Sequence, residues 1–420
     1  MEAAPSCIGG EEMIYLSDGA RKCIELLEES GFSAYAVGGA VRDGLLSRKA
    51  GDFDVCTNAL PEQMQSVFAD YRTVPTGIKH GTLTVLVDGE PIEITTWRVD
   101  GEYLDGRHPS SVSFSPLLYE DLARRDFTVN ALAYNEREGI VDCFSGLRDL
   151  ELGLIRCVGE PSKRYGEDAL RILRAFRFAS QLGFRIESET LSAASRCASG
   201  LSSIARERIT AELLKLLAGE GVAYALGEMI SSGVFAAAFE GVPTPDGETV
   251  KRIASMQGGD PILRLAALAR AYSDGERERF IGLLRLSNRE KRLIERLCLA
   301  SRYAVGEQND AAAARGFLAL YRDISERALA MLSAFYEGDG DAPCAFCDAV
   351  MSEQKKSLCL TLLDLEVNGK DIAELCGGGA LVGETLNVLL ADVIADPSLN
   401  TRDILLDRAR KYIKKTVDKV

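Results

Sequence analysis

Between residues 17 and 31 the apolar positions Ala20, Cys23, Ile24 and Leu27 recur every three or four residues, which predicts a helix with one buried stripe, stopped by Gly31. The run Ala34 to Val37 then reads as a short strand. A Gly38-Gly39 turn, a short helix carrying Arg42 and Asp43, and a second strand holding Asp52 and Asp54 follow. Pro61 opens a helix reaching about Phe68. GTLTVLVDGEPIEITTW is two β-rich runs joined by Asp88-Gly89, a strong hairpin signal. Residues 98–116 are polar, punctuated by Gly and Pro, and too long for a routine turn. EDLARRDFTVNALAY is expected to be helical from about Glu120. GIVDCFSGLRDLELGLIR reads as strand, turn and strand, and closes an α/β head near residue 156. Beyond it the pattern is helical, with no further convincing strand and no internal repeat. Breaks fall at Gly219-Gly221, at residues 243–247, at Gly258-Gly259, at Gly338–Pro343 and at Gly377–Gly379. The expected fold class is α+β: a mixed β-sheet with helices, followed by an all-α remainder.

Composition narrows this picture. The chain has 420 residues, 46% hydrophobic and 27% charged, as expected for a soluble protein of two or more domains. No apolar run approaches membrane-spanning length and the first residues are acidic, so the expected location is cytoplasmic, with no membrane partner. The 11 cysteines are scattered; only Cys344 and Cys347 form a CxxC, without a second pair at zinc spacing, so reduced thiols are expected. Two histidines, His80 and His108, exclude His-rich metal chemistry and an HD-type phosphohydrolase domain. A net charge of −14 argues against a nucleic-acid partner if spread evenly, yet residues 161–185 carry a local excess of four positive charges. Local field decides where an anion binds.

Side chains alternate across a strand, so Asp52 and Asp54 share a face. Paired carboxylates repel unless a cation lies between them, and hard oxygen ligands suit Mg²⁺. The Gly38-Gly39 turn lets backbone N–H groups approach an anion closely. A phosphate cradle beside such a pair is the equipment of phosphoryl or nucleotidyl transfer. Taken singly, Gly-Gly is also an ordinary turn and Asp-x-Asp an ordinary solvated loop. Glu93, on the second hairpin strand, can reach the same sheet edge or stand as an exposed strand residue. Arg125, Asp126 and Asn130 lie close together in sequence; cations there suit a triphosphate, and Asp with Asn suits sugar hydroxyls. In YGEDALRILRAFRFASQLGF, read as a helix from about Glu167, Asp168, Arg171, Arg174 and Arg177 recur every third residue among apolar neighbours. Arginines buried this way need anionic partners, either phosphates and bases or an intramolecular ion-pair ladder.

GGAVRD, GDFDVCT, RRDFTVNA and EDALRILRAFRF, in that order, resemble the class II tRNA CCA-adding enzymes and bacterial poly(A) polymerases of the nucleotidyltransferase superfamily. The resemblance is close over residues 30 to about 190; NGKD (368–371) and LVGETL (381–386) are similar to the family's C-terminal tail. It implies a nucleotidyltransferase head over residues 1–156, a helical neck with the nucleotide-selecting helix (157–220), a helical body (221–340) and a tRNA-binding tail (341–420). It further implies that Asp52 and Asp54 ligate Mg²⁺, with Glu93 as a third catalytic carboxylate. Gly38, Gly39 and Arg42 would hold the triphosphate, Arg125 the phosphates, and Asp126 with Asn130 the ribose. Asp168 and Arg171 would hydrogen-bond the incoming base, with Arg174 and Arg177 also on the nucleotide. The implied activity is untemplated addition of C, C and A to the 3′ end of tRNA from CTP and ATP, with release of pyrophosphate. Asp105 and Arg107 in the 98–116 loop match the family's Asp-x-Arg-Arg-Pro, with His108 in place of the second Arg, and favour full CCA addition. An A-adding enzyme, a poly(A) polymerase and a non-catalytic RNA-binding protein are the alternatives.

Overall fold

Ser17 caps the first helix, α1 (Asp18–Glu29), by accepting from the Ala20 N–H, and Ala20, Cys23, Ile24 and Leu27 form its buried stripe. In this computed structural model the described residues are 14–75, 77–101, 112–303, 311–336 and 342–418. Strand β1 (Ala34–Val37) leads into α2 (Gly39–Leu45), β2 (Asp54–Thr57), α3 (Pro61–Val67) and β3 (Arg72–Val74). The hairpin β4 (Thr82–Val87) and β5 (Glu90–Thr96) turns at Asp88 and Gly89, whose φ values of 50° and 86° fit a tight hairpin turn. A small antiparallel pair, β6 (Arg98–Asp100) and β7 (Val112–Phe114), stands at the two ends of the segment expected to be a long loop. Asp105, Arg107 and His108 lie outside the described residues.

α4 (Leu118–Ala123) is followed by a single 3₁₀ turn over Thr128–Asn130, then by β8 (Leu132–Asn135), β9 (Gly139–Asp142), α5 (Gly146–Leu152) and β10 (Leu154–Ile155). The helix expected from Glu120 through Asn130 therefore stops at Ala123. Arg124 and Arg125 fold back onto the buried Asp121, and the Asp126 side chain accepts from the Phe127 N–H at 2.9 Å. Local side-chain bonds of this kind compete with helix continuation. The stretch expected as a turn between two strands is helix α5.

The sheet is mixed, in the order β3-β4-β5-β2-β1-β8-β9; β2 and β5 are parallel and the other neighbours antiparallel. Tyr35, Val37, Cys56, Trp97, Leu122 and Ala133 pack together beside it. Helices α6 (Pro161–Glu167) and α7 (Leu170–Leu182), a two-residue strand β11 (Arg185–Ile186), α8 (Ser188–Cys197) and α9 (Arg206–Leu217) follow. β11 pairs parallel with β10, a strand beyond residue 156 that the pattern did not predict. Two residues are too short for a periodic signal.

The chain divides into two compact units, one of Met1–Ala254, Gly259–Pro261 and Tyr272–Leu286, the other of Ser255–Gly258, Ile262–Ala271 and Ser287–Val420. The described residues of the second unit are helical throughout, around two apolar clusters, one with Phe317 and Phe346 at its centre and one with Ile372, Leu389 and Leu405. Cys347 is half-buried there, and the side chain of Cys344 lies outside the described residues. Among the described residues no helix is long and apolar enough to cross a membrane.

Candidate active site

Strand register brings the expected carboxylates to one edge. Val37 lies opposite Asp54 across β1 and β2, and Asp54 lies beside Glu93 across β2 and β5. Asp52 falls just before β2 rather than within it, and both aspartates are exposed while Phe53 and Val55 between and after them are buried. Although its surface is open, the Asp54 carboxyl is crowded closely enough that desolvation pushes it above its ordinary value; Arg125 pulls it down, and the neighbouring Glu93 and Asp52 charges push it up. Gly38 leaves β1 with φ 73° and ψ −129°, a conformation open only to glycine, and a Cβ there would stand 3.1 Å from an Arg125 guanidinium nitrogen.

Facing these carboxylates is a wall of cations, tied together by a hydrogen-bonded chain. Arg42 donates to Asp43 at 2.9 Å and to Asn130 Oδ1 at 2.6 Å; Asn130 Nδ2 donates to Asp126 Oδ1 at 3.1 Å; Arg174 Nε donates to Asp126 Oδ2 at 2.7 Å. Burial alone would raise the Asp126 carboxyl, but Arg174 and Asn130 outweigh it and hold the group at about 2. Asp126 in turn raises the Arg174 guanidinium.

The segment expected to run as one helix from about Glu167 is split in two. Asp168 sits in extended backbone (φ −146°, ψ 104°) between α6 and α7, and its Oδ1 accepts the Leu170 N–H at 3.0 Å. The even three-residue stepping expected from Asp168 thus holds only from Arg171 onward. Each of these charges has a protein partner: Arg208 donates to Asp168 Oδ2 at 2.8 Å, Arg171 to Glu167 at 2.6 Å, and Arg177 to Glu212 at 3.3 Å. Burial lowers the Arg177 guanidinium, with Arg174 and Arg42 adding to the effect and Glu212 opposing it. The ion-pair ladder is real.

All of these groups belong to the first unit, and twelve of the thirteen expected site residues line one cavity of about 720 Å³. Glu93 is the exception, placed next to Asp54 but not on the wall. The lining carries eight Arg or Lys side chains against four aspartates, in a chain of net charge −14. Arg124, Leu170, Phe178, Gln181, Arg208 and Lys215 also line it and were missed. Arg208, Glu212 and Lys215 do recur at helical spacing on α9, but Arg206 and Glu207 on the same helix are charged as well, so in sequence the pattern reads as an ordinary charged helix face. Among the described residues no three His, Cys, Asp or Glu side chains converge to hold a metal.

Residues 34–156 match the family described as Poly A polymerase head domain, and residues 183–244 match the one described as Probable RNA and SrmB- binding site of polymerase A. A CCA-adding enzyme of Limosilactobacillus fermentum is 48% identical over 216 residues, 51% of this chain and 54% of that protein. A CCA-adding enzyme of Ligilactobacillus salivarius is 32% identical over 417 residues, 96% of this chain and 99% of that protein. The chain belongs to the class II CCA-adding enzyme family. Its fold follows the crystal structure of the Bacillus stearothermophilus CCA-adding enzyme in complex with CTP, with a TM-score of 0.77 at 31% identity over 96% of this chain and 98% of that one. With several family members, such as the first of these, the match spans about half of either chain.

Proposed function

We propose that this protein adds C, C and A in turn to the 3′ end of tRNA, using CTP and ATP and releasing pyrophosphate. The observation that carries the reading is one cavity holding both a carboxylate pair and a cation-rich wall. A triphosphate fits the wall, and a metal fits the pair. Mg²⁺ is held by one or two carboxylates together with substrate phosphates rather than by an all-protein cage. Asp52 and Asp54 supply that donor set, and a cation there would offset the desolvation of Asp54 and, after it, the repulsion from Glu93 and Asp52 that raise its carboxyl. When bound, Mg²⁺ lowers the pKa of the tRNA 3′-hydroxyl and neutralises charge on the leaving pyrophosphate.

The remaining work falls to the chain. The Gly38-Gly39 turn, Arg42, Arg174 and Arg177 bind the phosphates and align the α-phosphorus for in-line attack, so that positioning and charge stabilisation carry most of the catalysis. Arg125 sits between Gly38 and Asp54 and bridges the phosphate and carboxylate sides. Asn130, bonded to Arg42 and Asp126, holds the ribose together with Asp126 and ties that pair to the phosphate-binding Arg42. Asp168 and Arg171 keep capacity for a base: three of five Arg171 N–H donors and about half of the Asp168 lone pairs are engaged within the protein. The head through residue 156 performs transfer in this reading, and the neck, body and tail (157–220, 221–340 and 341–420) hold the acceptor stem.

Replacing Asp52 or Asp54 with alanine tests it. Incorporation of labelled CTP into a tRNA transcript is expected to vanish while filter binding of the transcript persists. Undiminished incorporation in both variants would remove the metal-assisted transfer reading and favour a different catalytic centre.

A further inference from the structure

Phe178 lies on α7 with 6% of its surface exposed, and it lines the cavity without any polar group of its own. Three guanidiniums surround its ring: Arg42 at 5.1 Å from the centroid, Arg174 at 5.3 Å and Arg177 at 4.0 Å. Each lies within the roughly 6 Å at which the ring quadrupole attracts a cation. Arg42 comes from α2, in the head, whereas Arg174 and Arg177 come from α7. The ring therefore joins two separate elements of the site.

Three like charges around one ring repel one another, and each is restrained from behind: Arg42 by Asp43 and Asn130, Arg174 by Asp126, Arg177 by Glu212. The ring is restrained as well. Phe127, fully buried and adjacent to Asp126, meets it edge-on at 5.8 Å with an interplanar angle of 80°. A leucine could fill much of this volume but would offer no negative π face to the cations. The arrangement holds cations close together before any anion arrives, which is the costly part of building a polyanion site.

We propose that Phe178 is a positioning residue for the triphosphate: its ring gathers Arg42, Arg174 and Arg177 into one phosphate-binding cluster. This rests on the nucleotide-transfer reading above. The ring acts through the guanidiniums, so it governs affinity for phosphate and leaves the choice of base alone.

Phe178→Leu and Phe178→Met remove the π face at similar volume, and Phe178→Tyr keeps it. The dissociation constant of inorganic tripolyphosphate, measured by calorimetry on the full chain, is expected to rise roughly tenfold in the Leu and Met variants and to stay within about twofold in the Tyr variant. KM for CTP and for ATP should rise by the same factor, with the preference between them unchanged. Far-UV circular dichroism identifies the variants that fold. Unchanged tripolyphosphate affinity in folded Leu or Met variants would overturn the proposal, as would a Tyr variant weakened as much as they are. If the natural protein binds tripolyphosphate but transfers no nucleotide, the transfer reading fails and the role of the ring stands. If it transfers nucleotide while the Leu and Met variants bind tripolyphosphate normally, the ring alone is wrong.

Discussion

Replacing Asp126 with asparagine keeps the shape of the side chain and removes its charge. In the folded protein Asp126 is 8% exposed and its carboxyl is held at about 2, against an ordinary value of about 3.9. A depression of nearly two pKa steps corresponds to about 2 kcal/mol of stability. Because the folded value lies below the unfolded one, that contribution is fully present above about pH 5 and disappears as pH falls through about 2, with about half remaining near pH 3. Asp126→Asn is therefore expected to lower stability by about 2 kcal/mol at pH 7 and to converge on the natural protein in acid. The only tryptophan, Trp97, is buried in the head, so its fluorescence during urea unfolding reports this unit. A difference below about 0.5 kcal/mol at pH 7, or one that does not shrink between pH 4 and 2, would refute the claim that Asp126 is stabilised as an anion by Arg174.

Asp54→Asn should act in the opposite sense: the folded carboxyl is raised, so ionisation costs stability as pH rises above the unfolded value, and the variant should be more stable than the natural protein at pH 7 in chelator while losing transfer. Trp97 fluorescence and nucleotide incorporation check the two halves. Gly38→Ala forces a side chain into a glycine-only conformation at a cost of about 1–3 kcal/mol and presses on Arg125, so kcat/KM for CTP should fall by roughly tenfold or more while the far-UV spectrum stays unchanged. Arg208→Ala leaves Asp168 with one protein partner instead of two and should raise incorporation of UTP and GTP relative to CTP and ATP by about tenfold, read by gel extension at fixed tRNA binding.

The parts of the fold that were legible in the sequence are those decided by neighbours along the chain. The apolar stripe of α1, the run Ala34–Val37, the Asp88-Gly89 hairpin and the proline that opens α3 each occur as expected. Where a short side chain could bond its own backbone, helical periodicity misled: Asp126 ends one expected helix by accepting from Phe127, and Asp168 splits another by accepting from Leu170. The site followed the same division. Paired aspartates, the glycine turn and the arginine-rich segment are local patterns, and they do converge. The partners that fix them are distant: Arg42 meets Asn130 across 88 positions, Arg174 meets Asp126 across 48, and Arg208 meets Asp168 across 40. Periodicity carries no signal at such separations. It also could not show that the arginines of α7 already have carboxylate partners, or that Phe178, which looks like any core aromatic, is ringed by three of the site's cations.

The most direct measurement uses a tRNA transcript ending at its discriminator base, incubated with the protein and Mg²⁺ and supplied with CTP alone, ATP alone or both. Growth by two residues with CTP and by three with both is the predicted result, because one cavity must serve both nucleotides. Extension only of transcripts already ending in CC, long ATP-dependent tails on any RNA, or no incorporation with RNA still bound would each contradict it, pointing respectively to an A-adding enzyme, a poly(A) polymerase or an RNA-binding protein.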